Sequence, residues 1–174
     1  ASINQWGASG GYYLAVATNF IYAKPDSQVG SIGAWTTLPL PETISEDILP
    51  TGPFKDTGLT RQKAAGQLEM LRQSFLETVL FQRGKKLKIS PEELAKAEVY
   101  VGLEALRYGL IDEIGSGLEA IEKSAKLAGI RNYKVIDIRE EMLKEKIRTK
   151  GEGENQPATE KALLPTFYYL IEKP

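Results

Sequence analysis

Segments that resemble β-strands alternate along most of this chain with segments that have helical spacing. The longest, Thr60 to Arg83, has apolar residues three or four positions apart, which is typical of a helix with one face on a core. Short apolar runs at residues 20–23, 99–101 and 133–138 are typical of strands. Because strands that alternate with helices form mostly parallel sheets, the sequence predicts an α/β fold with a mostly parallel sheet and flanking helices.

Two helix boundaries carry specific signals. Residues 90–93 read SPEE, which matches a capping box with proline at the first helical position. Gly84 directly follows the long helical segment, and glycine is a common helix terminator. The sequence therefore predicts a helix end at Gly84 and a short new helix after Ser90.

Two further strands are predicted next to tight turns. Residues 29–35 (VGSIGAW) read as a strand whose glycines allow another stretch of backbone to approach closely. Residues 110–114 (LIDEI) read as a strand, with Asp112 and Glu113 as surface charges at its end.

The chain is predicted to form one domain over residues 1–149, followed by a different C-terminal segment over residues 150–174. Residues 150–160 are polar and typical of a linker, whereas residues 163–171 are apolar again. We expect that apolar tail to dock on this domain or on a neighbouring copy. Because the first strand runs directly into a serine turn, we also expect earlier elements of the fold to precede Ala1.

The stretch ASGGYY at residues 8–13 places a serine before two glycines and a helical apolar run. A tight turn there would hold the Ser9 hydroxyl clear of its own backbone, which suits a nucleophile. A Ser-Gly-Gly tripeptide taken by itself is more often an ordinary turn, so a structural role for Ser9 stays open at this point.

The chain contains no histidine and no cysteine among its 174 residues. A Ser-His-Asp triad and a Cys-His pair are therefore excluded within it. A transition-metal site is not expected either, and we expect no metal or organic cofactor. The 22 basic and 23 acidic side chains leave a net charge of −1, so no nucleic-acid partner is indicated.

If Ser9 is a nucleophile, lysine is the best remaining general base. An unperturbed lysine is protonated at pH 7, and lowering its pKa from about 10.4 to near 7 requires about 4 to 5 kcal/mol. Burial in an apolar site supplies shifts of that size. Lys55 is the best candidate because it follows GPF at residues 52–54 in a loop, whereas most other lysines lie in charged runs. A loop lysine taken by itself is nonetheless usually a surface residue.

A nucleophilic serine also needs hydrogen-bond donors for the oxyanion that forms during acyl transfer. The amide of Gly10, directly after Ser9, is a natural first donor. A second donor would come from elsewhere in the molecule.

Several stretches taken together resemble the signal peptide peptidase A family. They are ASGGYY at residues 8–13, FIYAKP at 20–25, VGSIG at 29–33, TGPFKD at 51–56, AEVYVGLEA at 97–105 and GLIDEIG at 109–115. The resemblance covers about residues 1–127. Members of that family are membrane-associated Ser/Lys peptidases of the Clp protease and crotonase superfamily, so the resemblance implies a Clp protease/crotonase-like fold.

The resemblance implies a role for four residues of this chain. Ser9 would be the acylating nucleophile and Lys55 the general base. Ser31 matches a second family serine whose hydroxyl orients the lysine amine, and Gly10 supplies an amide to the oxyanion hole. The implied activity is that of a serine endopeptidase that hydrolyses signal peptides or other unfolded, membrane-proximal polypeptides.

The resemblance also implies partners and a location. Family members assemble into homo-oligomeric rings or domes, in which the serine and the lysine can come from different copies. Membrane association would use an anchor that precedes this chain, with the catalytic domain outside the cytoplasm.

Two alternatives remain open. An acyl-CoA hydratase or isomerase of the same superfold would bind CoA, but it does not explain Ser9 and Lys55 together. A membrane-proximal scaffold without activity would assemble without turnover and would tolerate the substitution Ser9→Ala.

Overall fold

The computed structural model describes residues 1–37, 51–52, 55, 58–150 and 168–172. The chain divides into two compact units, Ala1–Gly117 and Leu118–Pro174, which are described separately. The predicted boundary between residues 149 and 150 adjoins residues outside the described ranges and stays a prediction.

The described residues of the first unit form two small sheets of three strands each. Its strands are β1 (Ser2–Ile3), β2 (Trp6–Ala8), β3 (Tyr22–Ala23), β4 (Gln28–Gly30), β5 (Val99–Val101) and β6 (Glu113–Ile114). In one sheet the strand order is β1-β3-β6, and both neighbouring pairs of strands are parallel. In the order β2-β4-β5, β2 and β4 are parallel, whereas β5 is antiparallel to β4. The predicted α/β class with mostly parallel strand pairs is therefore confirmed for the described part of this unit.

Within the described ranges, four α-helices lie between these strands. They are α1 (Gly10–Val16), α2 (Arg61–Arg83), α3 (Pro91–Leu94) and α4 (Gly102–Arg107), with a 3₁₀ turn over Gly84–Lys86 after α2.

The helix ends follow the sequence signals. The Thr60 hydroxyl accepts a hydrogen bond from the Lys63 amide at 3.1 Å, which satisfies one of the unpaired donors at the start of α2. Gly84 ends α2 with a φ of 49°. The Ser90 hydroxyl accepts from the Glu93 amide at 3.1 Å, so the predicted cap of α3 is confirmed.

Two predicted strands are shorter in the structure. The strand predicted over residues 29–35 ends at Gly30, because Ser31 has a left-handed φ of 52° that takes the chain out of the sheet. The strand predicted over residues 110–114 is limited to Glu113–Ile114. The Leu110 amide instead donates to the Ala105 carbonyl at 2.8 Å, which closes the turn after α4.

The core of the first unit packs α1 and α2 against the strands. Tyr12 and Val16 of α1 lie in one buried cluster with Phe75 and Val79 of α2. The Tyr12 hydroxyl donates to the Leu110 carbonyl at 2.8 Å, which satisfies the polar end of a fully buried side chain. Burial raises the pKa of Tyr12 well above its ordinary value, so this hydroxyl stays neutral and anchors α1.

The Asp112 side chain is almost fully buried, so the expectation that it is a surface charge is wrong. Its side chain is 7% exposed and that of its ion-pair partner Arg83 is 3% exposed. Arg83 donates to both Asp112 oxygens, at 3.0 and 3.1 Å, and Lys86 and the Ile21 amide donate as well. Burial opposes ionisation of Asp112, but these hydrogen bonds hold its pKa at about 2. Glu113 is exposed, as expected.

The second unit begins at Leu118, so it includes all of α5 (Gly117–Ala128) except the first residue. It contains β7 (Tyr133–Asp137), α6 (Ile138–Lys150) and β8 (Tyr168–Glu172), and β7 pairs antiparallel with β8. The apolar C-terminal segment thus supplies a strand to this unit. None of the helices in the described ranges combines the length and hydropathy needed to cross a bilayer.

Candidate active site

Ser9 lies at the junction between strand β2 and helix α1. Its backbone has a φ of 52° and a ψ of −125°, a conformation that glycine adopts readily and other residues rarely adopt. The Ser9 amide donates to the Gly30 carbonyl at 2.8 Å, and the Tyr13 amide donates to the Ser9 carbonyl at 3.0 Å. The neighbouring strand therefore holds the serine from one side and the helix holds it from the other.

The Ser9 hydroxyl does not serve helix α1 as a cap. A serine at this position usually accepts a hydrogen bond from an amide of the first turn, but the Ser9 side chain makes no such bond. Ser9 is exposed, and none of the hydrogen bonds between described residues uses its hydroxyl. Helix capping therefore does not explain this serine, whereas a strained strand-to-helix turn is a known way to present a nucleophile.

Ser31 lies beside Ser9 at the same end of the sheet. Ala8 and Gly30 are register partners on the parallel strands β2 and β4, and each serine is the next residue of its strand. Ser31 has the same φ as Ser9, 52°, and it is half-buried where Ser9 is exposed. The structure thus brings two of the predicted site residues together.

The turn at Ser31 is held by the chain segment that leads into β5. The Ser31 amide donates to the Glu98 carbonyl at 2.8 Å. Gly30 has a φ of 108°, and a Cβ at this position would lie 2.7 Å from the Glu98 carbonyl oxygen. A Cβ on Gly33 would lie 2.9 Å from the Cβ of Ala97. The predicted close approach of another backbone is therefore confirmed at Gly30, whereas Gly33 lies against the Ala97 side chain.

Gly10 is the first residue of α1 and follows Ser9 directly. The first amides of a helix have no acceptor within the helix, so they are available to a ligand. A Cβ on Gly10 would have no neighbour within 4 Å, which shows open space at this side of the serine turn.

Lys55 is exposed, and its amide donates to the Gly52 carbonyl at 3.1 Å. Phe54, which we expected to shield the lysine from water, lies outside the described residues. Among the described residues, no hydrogen bond joins the Lys55 ammonium to either serine. The structure thus places Ser9, Gly10 and Ser31 together, and the approach of Lys55 to them stays a prediction.

Two features of this region were missed in the sequence. Residues 7–11 read GASGG, with a glycine two positions before and two positions after Ser9, the spacing of nucleophile turns in hydrolases of another fold. A Cβ on Gly7 would lie 2.7 Å from the Ile3 side chain, so a larger residue there would have to displace that side chain. The second feature is Ala97, which has a φ of 58° and carries no local signal for that conformation.

No group of three or more acidic, histidine or cysteine side chains in the described ranges is arranged to hold a metal ion.

Comparison with known proteins identifies similar chains. Residues 1–131 match the sequence profile described as peptidase family S49. Protease 4 of Salmonella typhi is 26% identical over 144 residues, and Protease 4 of Haemophilus influenzae is 30% identical over 145 residues. A protein of Enterococcus faecium described as a putative signal peptide peptidase SppA is 24% identical over 143 residues.

These matches cover most of this chain and a smaller share of each relative. The aligned parts are 76%, 75% and 75% of this chain, and 23%, 23% and 42% of the three relatives in the same order. The chain therefore spans about a quarter of the length of either Protease 4.

Proposed function

This chain belongs to peptidase family S49, and from that premise we propose that it is a serine endopeptidase in which Ser9 and Lys55 form the catalytic dyad. The observation that carries the proposal is the Ser9 turn. Its hydroxyl is exposed, stands on a strained backbone and does not cap the adjoining helix α1. A hydroxyl in that setting is suited to attack a carbonyl group from outside the protein.

In the proposed acylation step, the Ser9 Oγ attacks the scissile carbonyl carbon while the neutral Lys55 amine accepts the hydroxyl proton. The negative oxygen that forms accepts a hydrogen bond from the Gly10 amide, and the adjacent start of α1 favours the same charge. The bond to the leaving amine then breaks, and the Lys55 ammonium returns its proton to that amine.

Deacylation reverses these roles with water as the nucleophile. The Lys55 amine accepts a proton from a water molecule, which attacks the ester carbon of the acylated Ser9. The ester bond breaks, Ser9 recovers its proton, and the second peptide product leaves. The cycle therefore needs neither a metal nor an organic cofactor.

Lys55 has to be neutral and within hydrogen-bond reach of Ser9 for this cycle to run. A bound substrate or another copy of the chain is proposed to exclude water from the site, which favours an uncharged amine. Ser31 is proposed to orient the amine through its hydroxyl, and its position beside Ser9 at the end of the parallel strands supports that role.

We further propose a Clp protease/crotonase-like fold, which the parallel pairing of β2 with β4 and the strand-to-helix turn at Ser9 support. The proposed substrates are signal peptides or other unfolded polypeptides near a membrane, because one relative is described as a putative signal peptide peptidase. A homo-oligomeric ring or dome, membrane association and a catalytic domain outside the cytoplasm complete the proposal.

Turnover of an unfolded protein tests the proposed function. The full product of the gene is incubated with a fluorescently labelled unfolded protein and, separately, with a synthetic signal peptide. Ser9→Ala and Lys55→Ala are each expected to abolish cleavage of both substrates. The matched controls Ser74→Ala and Lys63→Ala change exposed residues of the same types on α2, and they are expected to cleave at the original rate.

Two outcomes would contradict the proposal. Equal cleavage by the native protein and both dyad variants would place the activity elsewhere. Absence of cleavage by every protein, with the oligomer intact, would favour a scaffold. Mixing the Ser9→Ala and Lys55→Ala proteins then locates the dyad, because recovery of activity requires a serine and a lysine from different copies.

A further inference from the structure

The segment between α3 and β5 contains a strained residue that the proposed reaction does not use. Ala97 has a φ of 58°, where the Cβ of alanine meets steric crowding that glycine avoids. Among the described residues other than glycine, only Ser9 and Ser31 share a positive φ. Strained backbone of this kind tends to collect at functional sites.

Backbone contacts connect the three strained residues. The Ser9 amide donates to the Gly30 carbonyl at 2.8 Å, and the Ser31 amide donates to the Glu98 carbonyl at the same distance. Glu98 comes directly after Ala97, so the backbone conformation of Ala97 sets the direction of that carbonyl. A change at Ala97 is thereby transmitted first to Ser31.

The contact between the two segments leaves little room for adjustment. A Cβ on Gly33 would lie 2.9 Å from the Ala97 Cβ, and a Cβ on Gly30 would lie 2.7 Å from the Glu98 oxygen. The Gly33 amide also donates to the Ser31 carbonyl at 3.0 Å, which closes the Ser31 turn from its other side. Close packing transmits small displacements instead of absorbing them.

Helix termination is the simpler explanation for the conformation of Ala97. Its amide donates to the Leu94 carbonyl at 3.1 Å, so it closes the turn after α3. Helices usually end this way with glycine, which makes the turn without strain. Termination alone thus does not account for the hydrogen bond between the next carbonyl, that of Glu98, and the Ser31 amide.

We propose that Ala97 is a positioning residue for Ser31: its left-handed backbone directs the Glu98 carbonyl to the Ser31 amide and so fixes the direction of the Ser31 hydroxyl. The inference rests on the proposed function, because Ser31 is the residue proposed to orient Lys55. It adds to that function a residue that touches neither the substrate nor the reacting atoms.

The test compares two substitutions at one position. Ala97→Val adds a β-branched side chain that disfavours the left-handed backbone, whereas Ala97→Gly retains that backbone. We expect Ala97→Val to lower kcat by up to about tenfold, the loss expected when the Ser31 hydroxyl itself is removed, with little change in KM, because a small misplacement of a catalytic group is enough for such a loss. Ala97→Gly is expected to stay close to native activity, as is the control Lys96→Ala at an exposed neighbour.

A double-mutant cycle separates positioning from general destabilisation. If Ala97 acts through Ser31, then Ser31→Ala combined with Ala97→Val loses no more activity than Ser31→Ala alone. The inference would be overturned if the activity losses of the two single variants multiplied in the double variant. It would also be overturned if a folded Ala97→Val protein kept the native kcat. If Ala97→Val does not fold, Gly33→Ala replaces it in the cycle, because the new methyl group displaces the contact between residues 33 and 97 from the other side.

The parallel assay of Ser9→Ala distinguishes the two levels of the proposal. Retained activity in Ser9→Ala refutes the proposed function itself. Activity that depends on Ser9 but is insensitive to Ala97→Val refutes only the positioning role.

Discussion

The ends of strands β2 and β4 carry the same residue in the same backbone conformation, yet the chain continues differently after each. Ser9 and Ser31 share a φ of 52°, and each amide donates to a neighbouring carbonyl at 2.8 Å. Ser9 is exposed and opens helix α1, whereas Ser31 is half-buried and continues into irregular chain. The difference suits the exposed hydroxyl to a substrate and the half-buried one to a neighbouring side chain.

The comparison also shows where this unit stores strain. A non-glycine residue in a sparsely populated conformation costs of order 1–3 kcal/mol, and the surrounding structure must hold it there. The fully buried Tyr12 and Val79 anchor α1 and α2 in the core behind the turns. The two serines are thus strained residues on a packed scaffold.

The largest expected effect comes from Ser9→Gly, which separates the chemical role of the hydroxyl from its backbone. Turnover should fall by at least about 10³-fold, as for loss of a nucleophile in other serine hydrolases. The free energy of unfolding should hold or rise by up to about 1 kcal/mol, since glycine accepts the positive φ. Peptide cleavage and denaturant titration measure the two effects, and a large loss of stability would refute the assigned strain.

Gly30→Ala tests whether the space beside the two turns is as tight as the structure has it. The new Cβ would meet the Glu98 carbonyl oxygen at 2.7 Å, on a residue whose φ is 108°. We expect a loss of about 3 kcal/mol in unfolding free energy, because rigid backbone must move. Gly10→Ala is the matched control, since its Cβ has open space and should leave stability within about 0.5 kcal/mol. Equal thermal stability of the two variants would contradict this prediction.

The pH dependence of stability tests Asp112, whose side chain has hydrogen-bond partners within the fold, in contrast to the Ser9 hydroxyl. The pKa of Asp112 is held at about 2 against an ordinary value of 3.8, so its ionised form stabilises the fold above pH 3.8. That contribution, about 2 kcal/mol, is lost as the pH falls through the interval from 3.8 to about 2.

Denaturant titrations at a series of pH values measure this loss. Asp112→Asn should start from a lower stability, because Arg83 is left buried without its charged partner, and should lose less on acidification. Ser9→Gly should keep the native pH slope. Identical acid slopes for Asp112→Asn and the native protein would show that Asp112 is not the titrating group.

Ser31→Gly is the smallest expected effect and completes the comparison with Ser9→Gly. It removes the second hydroxyl and keeps a backbone that glycine tolerates. We expect a fall in kcat of about tenfold, because orientation of the base is impaired while the nucleophile stays. A loss as large as that of Ser9→Gly would make the two serines equivalent, and native kcat would remove Ser31 from the site.

The local parts of this structure could be predicted from the sequence. The caps at Ser90 and the helix end at Gly84 depend on nearby residues, and the structure has them where they were predicted. The turn at Ser9 was also indicated locally, by the two glycines directly after it.

The remaining features depend on contacts between distant residues. The Asp112 side chain is buried because Arg83, 29 positions away, supplies its counter-charge, and no local pattern shows that pair. Strand β4 ends at Gly30 because the backbone turns at Ser31, and the carbonyl of the distant Glu98 accepts a hydrogen bond from the Ser31 amide at that turn. The conformation of Ala97 also depends on distant residues, because its side chain lies against Gly33.

Covalent labelling tests the central claim, that Ser9 is a nucleophile activated by Lys55, most directly. The full gene product is treated with a serine-reactive fluorophosphonate, and the modified residue is identified by mass spectrometry of its peptides. We predict one adduct on Ser9, absent in Ser9→Gly, strongly reduced in Lys55→Ala and unchanged in Lys63→Ala. An adduct on a different serine with Ser9 unmodified, or native labelling of Ser9 in Lys55→Ala, would contradict the proposed dyad.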